Sequence, residues 1–358
     1  MRVVPKAVAL ALALTAVSAP TPCAARTIDW SGYSWWVRTS NGNPQGPGPN
    51  IFSDSTQNVF IDASGNLHLK IRKDANNKWL ASEIDLNQSL SYGTYEFEVS
   101  SRYDQFAANV VGALFTYLSP ESVASQTGGS LSNGIPDTPH EIDIEFTKAW
   151  GSGHLYFTTH DTETPSHSKN YFQPLTGDFT THRFTWEPGR IIWESFHGHV
   201  AGVANPPFSI IEQRPGVNNG QPARYIYTGP IVPQDLNEIP ILNFWISANN
   251  ASTVGPTGGA EQEMIVHSFN FTPLEDSADF DRDGDIDGSD LLTWQRGRGA
   301  GTTNFAGDAD YNGVVNAADL AVWSEQFGEQ LGASVAEVPE PATSALVIVA
   351  LLLIRMAL

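Results

Sequence analysis

Glu141-Ile142-Asp143-Ile144-Glu145-Phe146 sets three carboxylates in strict alternation with three large apolar residues. That is the period of a β-strand with one buried and one wet face, so Glu141, Asp143 and Glu145 project to the same side. The Cα atoms of successive acids then stand about 7 Å apart, and at an effective dielectric near 20 two charges at that distance repel by roughly 2 kcal/mol. Repulsion of that size raises at least one carboxyl pKa by more than a unit. One acid is thereby held protonated near neutral pH beside an ionised neighbour. Cleavage of a glycosidic bond requires such a pair: one carboxyl gives a proton to the leaving oxygen while the other attacks or activates water. The hexapeptide alone also allows an acidic solvent face or a calcium site.

Further stretches resemble glycoside hydrolase family 16. Tyr92-Gly93-Thr94-Tyr95-Glu96 is similar to that family's Tyr-Gly-x-Tyr-Glu strand. Gly112-Ala113-Leu114-Phe115-Thr116-Tyr117 resembles the aromatic strand preceding the catalytic one in bacterial lichenases, and Leu242-Asn243-Phe244-Trp245 resembles their late Asn-x-Trp strand. The likeness spans residues 27 to 273. It implies that Glu141 is the nucleophile, Glu145 the general acid and base, and Asp143 the residue that positions the nucleophile and tunes the pair. The unbulged Glu-x-Asp-x-Glu form is shared with lichenases and xyloglucan-active members, and implies a β-1,3-1,4- or β-1,4-linked glucan. Cα atoms four residues apart on a flat strand are about 13 Å apart, whereas a retaining enzyme needs carboxyls roughly 5 to 5.5 Å apart. The strand is therefore expected to bend with its acidic face concave.

Pyranose faces are apolar and stack on aromatic rings. Phe115, Tyr117, Trp150 and Trp245 are the candidates for that contact. One departure stands out: Glu83, in Trp79-Leu80-Ala81-Ser82-Glu83-Ile84, lies where many relatives carry an arginine that reaches the subsite beside the nucleophile. Two non-enzymatic readings remain open, a carbohydrate-binding sandwich without catalysis and an extracellular matrix component whose role is assembly.

The elements that must carry these residues are short alternating runs between Gly, Pro, Asn, Ser and Thr punctuation. Strands are predicted over 58–61, 67–71, 93–100, 110–118, 155–159, 182–186, 191–196, 241–247 and 264–271. With hardly any helical periodicity, this predicts an all-β fold, a two-sheet jelly-roll sandwich of the concanavalin A-like kind. Residues 119–139 and 42–49 read as loops at the rim of a substrate groove. The histidines of His197-Gly198-His199 would share a strand face and could bind a metal, although a solvated strand is the plainer account.

Past Leu274 the composition changes. Asp279, Asp281, Asp283, Asp287 and Asp290 occupy positions 1, 3, 5, 9 and 12 of a calcium loop with Gly284 at the tight turn, and Asp285 stands at position 7. Asp308, Asp310, Asn312, Val314, Asn316 and Asp319 repeat the set around Gly313. Each loop runs into a short helical stretch, Leu291–Trp294 and Leu320–Trp323. Aspartate rather than glutamate at position 12, with one helix per loop, resembles a type I dockerin over residues 276–329. That resemblance implies two calcium ions and a cohesin-bearing partner, while Gly288-Ser289 and Ala317-Ala318 depart from the residue pairs usual in cellulosomal relatives. Catalysis itself needs no cofactor.

The formal charge is −20, and residues 275–330 hold 13 acidic residues against 3 arginines, a net of −10. Half of the acidity is thus accounted for by the two loops, and with no basic patch, nucleic acid would be repelled. At the start, Arg2 and Lys6 precede an apolar run from Ala7 to Ala19 and the small residues Cys23-Ala24-Ala25, the pattern of a secretory signal over 1–25. Thr21 and Pro22 do not form a lipoprotein box. Loss of the only cysteine, Cys23, would leave the mature protein without a disulfide. At the end, Val338-Pro339-Glu340-Pro341, an apolar run from Ala345 to Ile354 and Arg355 resemble a PEP-CTERM sorting signal, with linker, over 330–358. So short a run fits transient membrane contact better than a permanent span. Together these addresses imply an exported, extracellular or cell-surface protein of a Gram-negative bacterium.

Overall fold

The computed structural model describes residues 26–120, 122–123, 140–151, 153–160, 167–171, 175, 177–202, 223–229, 231–281 and 283–329. The signal-like segment, the stretch 124–139 and the sorting-signal segment lie outside the described residues. Among the described residues no helix is long and apolar enough to cross a membrane.

Among the described residues sixteen strands run in chain order: β1 Thr27–Trp30, β2 Tyr33–Val37, β3 Val59–Ile61, β4 Leu67–Lys73, β5 Trp79–Leu80, β6 Ser82–Leu86, β7 Gly93–Val99 and β8 Val110–Leu118, then β9 His140–Thr147, β10 Leu155–His160, β11 His167–Tyr171, β12 Thr180–Glu187, β13 Arg190–His197, β14 Arg224–Thr228, β15 Ile239–Ile246 and β16 Gln262–Pro273. They form two sheets, β1-β2-β6-β15-β8-β9-β10-β11 and β14-β13-β12-β7-β16-β4-β3, with β5 paired to β4. Every ladder between these strands is antiparallel. The fold is the expected all-β two-sheet sandwich. Before residue 274 the described helical structure includes a 3-10 turn at Tyr103–Gln105 and the four-residue helix α1, Ala251–Val254.

Alternation fixes which face of each strand is inside. On β4, Leu67, Leu69 and Ile71 are fully buried, while His68 and Lys70 are only half-buried. On β9, Ile142, Ile144 and Phe146 enter the core between the sheets, where Tyr95, Phe97, Phe157, Trp186 and Trp193 also pack. Each such side chain contributes about 1.5 to 3 kcal/mol on burial. A one-residue slip of β9 would turn three apolar side chains outward and three carboxylates into the core, so its register is strongly specified.

All nine expected strands are present, within a few residues at each end. The sequence reading passed over β1, β2, β5, β6, β11 and β14. The first two form a hairpin whose turn places Ser31 and Gly32 at positive φ, 51° and 80°, a Ser-Gly signal legible in principle. Residues His197 and His199 do not share a strand face: β13 ends at His197 and Gly198 turns the chain at φ 82°.

Beyond the sandwich, α2 (Gly288–Gly297) and α3 (Ala317–Gln326) follow the two aspartate-rich loops and enclose a small core of Phe280, Ile286, Trp294 and Val315. The two halves mirror each other. Trp294 donates its indole N–H to the Asn316 carbonyl at 2.7 Å, and Trp323 donates to the Asp287 carbonyl at 2.9 Å. Each helix thus satisfies a carbonyl of the opposite loop.

Candidate active site

β9 lies inside its sheet, paired with β8 on one side and β10 on the other without a register shift. The strand is therefore unbulged, as its sequence implied. Phe115 stands opposite Asp143, Tyr117 opposite Glu141 and Ala113 opposite Glu145. Across β10 the partners are Thr158, His160 and Tyr156 respectively. All share the open face of the sheet, away from the inter-sheet core.

Glu141 and Glu145 are half-buried and Asp143 is 2% exposed. Burial, the larger cause, pushes Glu145 up to about 8, with the charge of Glu141 adding to it. Burial likewise pushes Glu141 up to about 7, opposed by a hydrogen bond from Asp143 and reinforced by Glu83. Asp143 lies well above the usual carboxylate range, through burial first and the flanking charges of Glu141 and Glu145 second. The repulsion read from spacing is present, but desolvation outweighs it. His160 Nε2 lies 3.8 Å from Asp143 Oδ2. Burial lowers the His160 pKa, which favours the neutral ring over a counter-charge.

The four aromatic candidates are brought to this face. Phe115 and Tyr117 form an edge-on pair at 6.3 Å, and Trp150 lies 6.4 Å from Trp245 and 5.6 Å from Tyr156. Phe115 and Trp245 are buried, but in small clusters on the open face rather than in the main core: Phe115 with Ala113 and Ile241, Trp245 with Phe52, Ala81 and Val111. Trp150 is 44% exposed.

Residues the sequence reading did not assign complete the face. Arg38, just past β2, donates to Glu83 Oε1 at 2.6 Å and stacks over Phe52 at 4.2 Å. Asn243 donates to Glu83 Oε2 at 3.2 Å. An arginine is therefore present beside Glu83, supplied by a neighbouring strand and engaged with it. Burial still raises the Glu83 pKa against the opposing effect of Arg38. Asp85, next along the same face of β6, is pushed up to about 7 by burial and by Glu83. The available signal was Glu83-Ile84-Asp85-Leu86, which repeats the acidic alternation of β9.

In the C-terminal loops, carboxylate oxygens of Asp279, Asp281 and Asp290 lie within 4.8 Å of one another, as do those of Asp308, Asp310 and Asp319. Several of their hydrogen bonds correspond. Asp290 accepts from the Phe280 and Asp287 amides, and Asp319 from the Ala309 and Asn316 amides. Gly284 and Gly313, at φ 96° and 79°, donate to Asp279 and Asp308. Asp287 and Asn316 cap the helices that follow. Asp283, Asp285, Asn312 and Val314 lie along the same turns, with Val314 exposed.

Fold and site together define a class: an antiparallel two-sheet sandwich with three acids of raised pKa along one central strand and aromatic rings on both sides of them. No family model matches the chain. A β-glucanase of Paenibacillus polymyxa is 28% identical over 138 residues, covering 38% of this chain and 51% of that protein, so the chain spans about half the length of the curated relative it matches. Among solved structures, a Bacillus licheniformis β-glucanase shows 20% identity over 67% of this chain and 92% of that one, at a TM-score of 0.44. A prokaryotic β-1,3-1,4-glucanase (lichenase) derived from a mouse hindgut metagenome shows 18% identity over 67% and 93%, at 0.43. Structural likeness at that level carries no argument about the reaction.

Proposed function

We propose that this protein is a secreted glycoside hydrolase, a retaining endo-β-glycanase acting on a β-1,3-1,4- or β-1,4-linked glucan. The observation that carries the reading is the one-sided β9 triad, in which burial holds Glu141 and Glu145 above the ordinary carboxylate range on the open face of one strand. The 138-residue similarity to a protein named β-glucanase supports it. In the ionised form Glu141 attacks the anomeric carbon while Glu145 gives its proton to the departing glycosidic oxygen. Glu145 then takes a proton from the water that releases the glycosyl group. Asp143, neutral and hydrogen-bonded to Glu141, positions the nucleophile. Phe115, Tyr117, Trp150 and Trp245 supply ring faces for the sugars.

The C-terminal module is read as a dockerin-like calcium-binding unit for a cohesin-bearing partner. Its donor sets suit the ion: each loop gathers three carboxylates around a glycine turn, and hard oxygen donors at this spacing select Ca2+. Calcium would supply the charge that holds each loop closed, with Asp279, Asp281, Asp283, Asp285, Asp287 and Asp290 holding one ion and Asp308, Asp310, Asn312, Val314, Asn316 and Asp319 the other. Export through the N-terminal signal and sorting through the C-terminal segment complete the reading.

The second reading, a non-catalytic carbohydrate-binding sandwich, is favoured by one observation: Glu83 adds negative charge near Glu141, with Arg38 bound to it. Reducing-end release from lichenan, xyloglucan, laminarin, agar and carrageenan, with Glu141→Gln as control, separates the two. Activity on at least one polymer that the variant lacks is the expected result. Equal inertness of wild type and variant on all five, with glycan binding retained, would establish the binding module instead.

A further inference from the structure

The second sheet carries a group of donors on its own outer face, on the opposite side of the sandwich from β9. Strand β7 turns Tyr95, Phe97 and Val99 into the core and Glu96 and Glu98 outward. Glu98 is nevertheless 8% exposed, with Oε1 accepting from the Ala201 amide at 3.0 Å and Oε2 from the Ser268 hydroxyl at 2.9 Å. After Gly198 turns the chain, His199 lies against β16 at the bulge between Val266 and Ser268 and stacks on His267, with centroids 4.8 Å apart and planes at 18°. One nitrogen of each ring and a Glu98 oxygen lie within 4.8 Å of one another.

Hydrogen bonds fix where the ring protons sit. The Asn66 side-chain nitrogen donates to Asp62 Oδ2 at 2.9 Å, so its oxygen faces His267 and accepts from Nδ1 at 2.8 Å. The His267 lone pair is then on Nε2, 4.0 Å from Glu98 Oε2. His199 Nε2 sits 3.2 Å from the Val99 carbonyl, which can only accept, so its lone pair is on Nδ1. Each imidazole, when neutral, thus has one nitrogen bonded to an oxygen acceptor, the arrangement that orients metal-ligating histidines. A bare lone pair facing a carboxylate is unfavourable unless a proton or a metal cation lies between them.

We propose that His199, His267 and Glu98 form a divalent transition-metal site, two imidazoles and one carboxylate, of the kind that takes Zn2+ or Co2+. Ligand atoms around a tetrahedral ion at 2.0–2.1 Å stand about 3.3 Å apart, so a closing movement of about an ångström completes the set. His267 is half-exposed, which leaves room both for that movement and for a water in the fourth position. Nitrogen ligands separate this site from the all-oxygen loops near the C-terminus. The ion would tie the segment after β13 to β7 and β16.

The test is Co2+ titration of the full, tag-free chain in millimolar Ca2+, read by d–d absorption and by metal content after gel filtration. One Co2+ per chain is expected, lost in both His199→Ala and His267→Ala and kept in His160→Ala, which probes the separate Glu141, Asp143 and His160 group. Both substituted histidines are at least partly exposed, and unchanged circular dichroism melting would establish that the variants fold. Absence of uptake by wild type, uptake that survives either His199→Ala or His267→Ala, or loss in His160→Ala alone would overturn the proposal. A proton shared between His267 and Glu98 would show as the first of these outcomes.

Discussion

Strand β9 and the two C-terminal loops both crowd carboxylates together, and the fold relieves the crowding in opposite ways. On β9 the acids are half-buried or buried, and the largest cause of every raised pKa there is burial. Protonation is the cheapest relief, and it leaves one proton held near the acid that has given its own away. In the loops the carboxylates accept N–H groups of their own turns, and at Asp308, pushed up to about 6 by burial, the Gly313 amide opposes the rise. The calcium ions proposed above would be the relief there. Crowded acids are thus not by themselves diagnostic; the supply of water and backbone donors decides whether a proton or a metal ion answers the charge.

The largest expected effect tests the β9 half of this contrast. Glu141→Gln should lower kcat by at least about 10^3-fold while the protein stays folded, and steady-state kinetics on the active polymer with circular dichroism measures both. Chelation of calcium tests the other half. It should abolish amide-exchange protection across residues 279–319 and leave hydrolysis unchanged, and Asp290→Ala with Asp319→Ala should do the same without chelator. Loss of hydrolysis on chelation would mean that the two regions are not independent.

The pH dependence sharpens the comparison further. With Glu141 at about 7 and Glu145 at about 8, kcat/KM should fall on both sides of that interval. Glu145→Gln, assayed with an activated aryl leaving group, should lose the alkaline limb. Stability follows the same sign. A carboxyl whose pKa is raised on folding binds more protons folded than unfolded between its ordinary value, 4.5, and about 8, so wild type loses stability as pH rises through that window. The Tm of Glu145→Gln relative to wild type should therefore climb from pH 4 to pH 9, and a flat difference would contradict the burial account. Least affected should be Trp150→Ala: its ring is 44% exposed, so KM should rise about three- to ten-fold, from the loss of roughly 0.5 to 1.5 kcal/mol of stacking, with Tm unmoved.

Much of the sandwich was legible because period-2 alternation and burial are the same fact seen from two sides. Ile142, Ile144 and Phe146 could only face a core, and the nine clearest strands follow from such runs. Strands β11 and β14 escaped because they are edge strands: in Arg224–Thr228 no residue is fully buried, so selection for alternation is weak. Strand β6 is a different case: Glu83, Ile84 and Asp85 alternate as β9 does, so its signal lies in the sequence, but a run of five residues is short. The turns and helix caps of the two loops were legible because their spacing is local in sequence: Gly284 and Gly313 turn at positive φ, and Asp287 and Asn316 cap the helices that follow.

The sequence by itself determined that three acids share one face, that two loops repeat a ligand pattern, and that the chain is built of short strands. Only the tertiary structure decided that Arg38 would reach Glu83, that Trp150 would meet Trp245, and that His199 would leave His197 to stack on His267. Those pairings join residues 45, 95 and 68 positions apart. Sheet order and a single turn at Gly198 bring them together, and side-chain spacing along the chain carries no record of either.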